Sequence, residues 1–176
     1  MRVDASSAEC LVFTTAGGVL SALAHDLKLR VGTFTLAVDD ETGAVAADFD
    51  PASLRVVAAM RGDREGRAAL SERDKRSIEE TIATEVLDSA RYREIRFRAP
   101  GPLRPASGEA GLQFDGTLLL HGARRDVSIH AARQGTQYVA EARVHQPDFG
   151  IRPYSAMLGA LRVAPDVRVR IAIPLG

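Results

Sequence analysis

The chain has 176 residues, enough for one domain over 1–176 and too few for two comfortable ones. Hydrophobic residues make up 45% and charged residues 26%, which excludes a disordered tail and a membrane-embedded chain. Lys plus Arg (23) balances Asp plus Glu (23), and there are six Phe, three Tyr and no Trp, so neither nucleic acid nor an anionic membrane is expected as partner from net charge or from aromatic stacking.

The single cysteine, Cys10, can form no internal disulfide and no cysteine zinc site. From Cys10 to Ala24 the chain is uncharged and closes on Ala22-Leu23-Ala24, superficially like a signal-peptide cleavage site. Asp4, Glu9, the lone Arg2 and the interruptions Thr14-Thr15 and Gly17-Gly18 argue instead for a strand, a Gly-Gly turn and the lead-in to a second strand. The run is too short to span a bilayer, and the expected location is the cytoplasm.

The next segment has period two. Leu27, Leu29 and Val31 alternate with Lys28 and Arg30, as in a half-buried strand. Beyond Gly32 the apolar set continues as Phe34, Leu36 and Val38 on the opposite parity, which predicts a bulge or a sharp bend at the glycine. Residues 39–43 (Asp-Asp-Glu-Thr-Gly) make a polar turn, and strands follow over 45–49 and 54–59. One helix is predicted from Ser71 to Asp88. Ser71 and Asp74 resemble a capping pair, and Ile78, Ile82 and Val86 recur at four-residue steps with Ala83 and Leu87 beside them.

Further strands are predicted at Ile95-Phe97-Ala99, Leu112 to Leu120, Val127-Ile129-Ala131, Tyr138 to Val144 and Val167 to Ile173, with Pro100–Gly111 as a hairpin loop. The fold class is mostly β: an antiparallel barrel or sandwich with one helix laid against it. A barrel of about eight strands can be filled by side chains or hold one small ligand. Ala99, Gly116, Ala131, Ala140 and Ala142 on the inward parity leave room for a cavity.

His25, His121 and His145, with Asp26 and Asp148, could hold a metal if barrel closure gathered them, but no His-x-His or Glu-x-x-His spacing supports it. A strand-end histidine more often bonds a neighbouring carbonyl or carboxylate. Neither Ser155 nor Ser71 lies in a Gly-x-Ser-x-Gly elbow, and Cys10 has no adjacent cation to activate it. In the loop 151–163, Pro153 could open a short helix with Met157, Leu158 and Leu161 on one face. That face would either plug one barrel end or cover a ligand mouth, with Tyr154, Arg152 and Arg162 nearby.

The segment Gly116-Thr117-Leu118-Leu119-Leu120-His121-Gly122-Ala123-Arg124-Arg125-Asp126-Val127 resembles the strand-turn-strand signature of YceI-like proteins. In the order of that family come His25-Asp26-Leu27 through Gly32-Thr33-Phe34, Asp50-Pro51-Ala52-Ser53-Leu54, and Glu85-Val86-Leu87-Asp88 through Tyr92 to Phe97. The resemblance covers most of the chain. It implies a lipocalin-like antiparallel barrel, a helix near one rim, and members that bind polyisoprenoid or other long-chain lipids; it implies no catalytic residues, and many such relatives are exported.

The expected function is therefore to bind or carry an isoprenoid, quinone or fatty-acyl chain, with no cofactor beyond such a lipid and no enzymatic role. His25, Tyr154 and Arg152 are the expected polar groups at the mouth. Leu27, Leu29, Val31, Phe34, Leu118, Leu120, Tyr138, Met157, Leu158 and Leu161 are the expected apolar contacts. Two alternatives stand beside it: a metal-dependent enzyme or metalloprotein on the histidines, and a filled barrel that serves as a scaffold. An exposed edge strand could pair two copies into a homodimer.

Overall fold

A computed structural model describes all residues except 18–25, 63, 67–69, 106–110, 157, 159–160 and 176; the side chains of residues 61, 104, 105 and 161 are likewise undescribed. Its strands are β1 (Arg2–Asp4), β2 (Glu9–Thr14), β3 (Ala16–Gly17), β4 (Asp26–Val31), β5 (Phe34–Val38), β6 (Val45–Phe49), β7 (Leu54–Arg61) and β8 (Arg64–Glu65). A helix, α1 (Glu72–Thr81), comes next. Then follow β9 (Ile95–Ala99), β10 (Arg104–Pro105), β11 (Leu112–Leu120), β12 (Ala123–Gln134), β13 (Gln137–His145), β14 (Ser155–Ala156), β15 (Leu161–Val163) and β16 (Asp166–Pro174).

One antiparallel sheet carries almost all of them. Its path runs β1-β5-β6-β9-β11-β12-β13-β16-β2-β4-β7-β8, with β10 added to β11. The bend expected at Gly32 explains how this sheet curls into a barrel. β4 passes into β5 through Gly32–Thr33, and β6 into β7 through a single 3-10 turn at Pro51–Ser53, while β4 pairs with β7 and β5 with β6. One folded ribbon thus supplies both ends of the path. The corner is held by Gly32 N–H to the Ser53 carbonyl (3.0 Å), Thr33 N–H to Ser53 Oγ (3.0 Å) and Asp50 N–H to the Thr33 carbonyl (3.0 Å). A Cβ at Gly32 would lie 3.0 Å from the Ser53 carbonyl, so the corner leaves little room for a side chain there. The bulge lies elsewhere, between Lys28 and Leu29 of β4, where the register against β7 shifts.

The strand count exceeds the eight expected, because the corner divides one ribbon into two pairs and because β1, β8 and β10 are too short to show a period. The inward residues of the long strands form one core: Cys10, Val31, Phe34, Leu36, Val45, Ala47, Phe97, Ala99, Leu118, Leu120, Val144 and Ile171 are all buried in it. Phe149 and Ile151, which follow β13, join the same cluster. Among the described residues, the sheet's outer strands are the short β1 and β8, and no helix is long and apolar enough to cross a membrane.

The helix starts where its cap predicts. Ser71 Oγ accepts the Asp74 N–H at 3.1 Å, and Asp74 Oδ2 accepts the Ser71 N–H at 3.2 Å, a reciprocal capping box. The Ser71 hydroxyl also donates to Asp74, and this bond, followed by the Ser71 N–H, holds the Asp74 carboxyl below the ordinary value of 3.8. Stability from this box is present above pH 3.8 and is lost as pH falls through the lowered native value. Ser71→Ala is expected to cost about 1 kcal/mol at neutral pH. The gap between the thermal melts of the two proteins should narrow in acid, where the bonds to the Asp74 carboxylate weaken while Ser71 Oγ still accepts the Asp74 N–H; an equal gap at both pH values would remove the Asp74 carboxylate from the account.

After Thr81 the helix widens into one π-turn over Ile82–Val86, with Leu87 N–H donating to the Ile82 carbonyl at 2.9 Å. A π-turn inserts an extra residue into the helical repeat. It brings both Val86 and Leu87 onto the face that Ile78 and Ile82 begin.

Candidate functional site

That face does not meet a solid core. It forms one wall of a cavity of about 530 Å³ inside the barrel. From the helix come Ser77, Ile78, Thr81, Ile82, Val86 and Leu87, and from the sheet come inward residues of β2, β4, β5, β6, β7, β9, β11, β12, β13 and β16. Val12, Leu29, Leu36, Phe49, Phe97, Phe114, Leu118, Ile129, Ala142, Val169 and Ile171 are typical of the lining. The polar side chains among the lining residues are few: Thr14, Ser77, Thr81, Glu141, Gln146, Tyr154 and Arg162. A volume in the hundreds of Å³ with an apolar wall and few polar groups is the ordinary form of a small-molecule site.

Three of those polar groups are already engaged. Thr14 Oγ1 accepts the Leu27 N–H at 3.3 Å. Glu141 accepts from Arg168 at 3.3 Å and lies 3.8 Å from the Arg170 guanidinium. Gln146 is buried and donates to the Ala164 carbonyl at 3.1 Å. Cys10 also lines the cavity at 1% exposure; burial, and then the nearby Glu9 charge, pushes its thiol up to about 12. It is therefore a neutral, unreactive part of the apolar wall at physiological pH.

The segment after β13 departs from expectation. Among the described residues after Pro153 the chain is extended at Ser155–Ala156 and again at Leu161–Val163, with a 3-10 position at Leu158, rather than one short helix carrying Met157, Leu158 and Leu161. β14 and β15 pair with each other, and β15 pairs with β3, giving a separate three-stranded sheet. Val163 N–H donates to the Tyr154 carbonyl (2.9 Å) and Ala164 N–H to the Thr15 carbonyl (2.7 Å), so the loop's backbone is satisfied across the sheet rather than along a helix. Asp26 fastens this sheet to the barrel by accepting the Ala16 N–H at 2.7 Å. Ala16, Tyr154, Arg162 and Val163 line the cavity from it. The exposed lining residues Ser77, Tyr154 and Arg162 mark where the cavity reaches solvent, between α1 and this small sheet.

Of the residues expected to contact a ligand, Leu27, Leu29, Val31, Leu118, Leu120 and Tyr154 line the cavity. Phe34 is buried in the core and stacks on Phe49 with ring centroids 6.0 Å apart, but does not line it. Tyr138 keeps the inward parity of Ala140 and Ala142, yet it stands beside the β12–β13 hairpin turn, 46% exposed and off the lining. Arg152 and Leu158 face solvent and do not line it either. Leu161 pairs with Ala156 in β15; His25 and Met157 lie outside the described residues. The small inward residues divide in the same way: Ala140 and Ala142 line the cavity, while Ala99 and Gly116 are buried away from its surface and Ala131 lies off it.

The histidines have separate structural positions. His121 Nδ1 is 3.3 Å from the Phe149 carbonyl, and its ring packs on Tyr92 at 4.0 Å between centroids. His145 Nδ1 meets Asp166 at 2.8 Å on the outside of the barrel. Among the described residues, no group of three His, Cys, Asp or Glu could hold a metal.

A sheet curled around an apolar cavity, with a helix as one wall, defines a lipocalin-like barrel. The family model of the YceI-like domain matches residues 3–175, and the chain belongs to that family. No curated protein matches the sequence. The fold is similar to the crystal structure of BcnA from Burkholderia cenocepacia, at 13% identity, TM-score 0.62, and coverage of 97% of this chain and 98% of that one. It is also similar to a polyisoprenoid binding domain from Saccharophagus degradans implicated in plant cell wall breakdown (12% identity, TM-score 0.54, 95% and 96% covered). A third similar structure is the YceI protein of Campylobacter jejuni (10% identity, TM-score 0.52, 78% and 76% covered).

Proposed function

We propose that this chain binds and carries a long apolar ligand, an isoprenoid, quinone or fatty-acyl chain, inside its barrel. The observation that carries this reading is the cavity of about 530 Å³ walled by aliphatic and aromatic side chains from ten strands of the large sheet, two of the small sheet and one helix. Burying a chain there gains about 0.8 kcal/mol per methylene, before the cost of ordering it. The name of the Saccharophagus degradans domain is consistent with such a ligand, as is membership of the family. Tyr154 and Arg162, at the solvent end of the lining, are suited to reading a polar end group. The reading assigns the barrel no catalytic step.

Native mass spectrometry of the purified chain, with organic extraction of whatever denaturation releases, tests this directly. The expected result is a stoichiometric added mass that extraction recovers as a long-chain lipid. A chain that is empty and also takes up no quinone or fatty-acid probe would favour a scaffold instead.

A further inference from the structure

We propose that α1 is a movable wall of the cavity, latched to β7 by Glu79 and hinged at the π-turn, and that an apolar chain enters and leaves where this helix lifts. Its purpose rests on the cavity reading, while the movement itself is measurable without a ligand.

The seams between β4 and β7, β2 and β4, and β13 and β16 are backbone ladders, and parting any of them breaks several main-chain hydrogen bonds at once. The seam at α1 is built differently. β7 pairs with β4 over most of its length, but with β8 only at Met60 and Arg61 among the described residues, so the rest of its second edge is left to the helix. There the Val56 N–H donates to Glu79 Oε1 at 2.7 Å, and Arg55 Nε lies 3.9 Å from Glu79 Oε2. Among the described residues this is the one hydrogen bond from α1 to the sheet. Arg55 is exposed, so its ion pair adds little. The carboxylate of Glu79 is therefore the latch, and without it the Val56 amide has no partner on that edge.

The helix is a unit that can lift whole. Its first turn is closed by the Ser71–Asp74 box and by Lys75 on Glu72 at 2.9 Å, and none of its residues is buried. Ile78 and Ile82 are half-buried and border the cavity without joining the core cluster, so their inner side faces open space where a packed wall would have partner atoms. The π-turn over Ile82–Val86 follows, a geometry common at functional sites. Past it the chain is fixed again: Val86 and Leu87 pack on the core, and the Ser89 N–H and hydroxyl both donate to the Ala83 carbonyl, at 2.8 and 3.1 Å. The other lip of the mouth, the small sheet, is held by strand pairing and by Asp26 on the Ala16 N–H. The helix is thus the lip that yields. A chain lying in the cavity would pack on Ile78 and Ile82 and hold it down.

Hydrogen exchange of the full chain without ligand should show the bonded amides of α1 and the Val56 amide opening together, on the order of a hundred-fold less protected than β11. A hydrogen bond to a charged group is worth about ten-fold or more in such an equilibrium, so Glu79→Ala should cut the protection of α1 by that factor. Entry and release of a fluorescent fatty acid should quicken alike. Glu79 does not line the cavity, so the two rates should rise together and the affinity hold. Glu79→Gln, which keeps an oxygen for the Val56 N–H, should restore most of the parent behaviour. In Arg55→Cys with Glu79→Cys, a short bis-maleimide bridge should slow passage of the probe below the parent rate, while the unbridged form runs faster than the parent; Cys10 is buried and does not compete. An α1 as protected as β11 overturns the proposal, whether or not the probe binds. Unchanged probe rates in Glu79→Ala overturn it too, as does a bridged protein that passes the probe at the parent rate, which would put the entrance elsewhere on the barrel. An α1 that opens as expected in a chain that takes up no probe would leave the movable wall standing and remove the cavity reading alone.

Discussion

Phe97→Ala is expected to destabilise the barrel by about 3–5 kcal/mol, the usual cost of emptying a buried phenylalanine site. Phe97 is 7% exposed, pairs with Leu118 across β9 and β11, and packs on Phe114 with ring centroids 6.3 Å apart at 58°. Its ring also covers Gly116, the next inward residue of β11. A Cβ built on Gly116 would overlap that ring and come within 2.7 Å of the Arg98 carbonyl. Gly116 therefore leaves a notch in the strand, and Phe97 fills it, the way an aromatic neighbour commonly shields a glycine in a sheet. Gly116→Val should accordingly cost about 1–3 kcal/mol by overpacking. The double variant is the sharper measurement. With the ring gone the largest overlap is relieved while the one with the Arg98 carbonyl remains, so the combined loss should fall short of the sum by about 0.5–3 kcal/mol without the valine becoming neutral. Urea unfolding of the four proteins measures this; additive losses would mean that the ring and the glycine do not share a site.

Much of this arrangement was legible in the sequence because it is local. The alternation of Leu27, Leu29 and Val31 marks the inner face of β4 without any knowledge of its partners. The parity change at Gly32 announces a bend, and the glycine at the corner is indeed crowded by the Ser53 carbonyl. Ser71 and Asp74 cap a helix by a rule that spans four residues. What stayed hidden depends on pairings between distant parts of the chain. Tyr154 to Val163 has apolar residues at helical spacing, yet Leu161–Val163 is a strand because Ala16 and Gly17, at the other end of the chain, offer it an edge. The shift between Lys28 and Leu29 is set by β7 and leaves no mark in the alternation. Ile78, Ile82 and Val86 were readable as an apolar face, but periodicity does not say whether such a face meets packed side chains or a cavity. Tyr138 shows the converse: its parity points inward, but its place at the end of β13 leaves it in solvent.

Filling the cavity should separate ligand binding from folding. Ala140 and Ala142 stand on consecutive inward positions of β13, opposite Ile171 and Val169 of β16, and both line the cavity. Ala142→Phe would place a ring where the ligand chain is proposed to lie. Overpacking normally costs about 1–3 kcal/mol in a close-packed core. Here the ring enters open space and buries its own apolar surface, so the melting temperature of the empty barrel should hold or rise. Binding should move the other way. A ring that displaces about four methylenes of ligand forfeits about 3 kcal/mol, on the order of a hundred-fold in affinity. Titration of a fluorescent fatty acid against the parent and Ala142→Phe, with melting curves of both, reads the two effects separately. Weak binding in a barrel that melts no earlier than the parent places the ligand inside. Unchanged affinity in that barrel would put the ligand on an outer surface, and the interior would then be a void that the fold tolerates rather than one it uses.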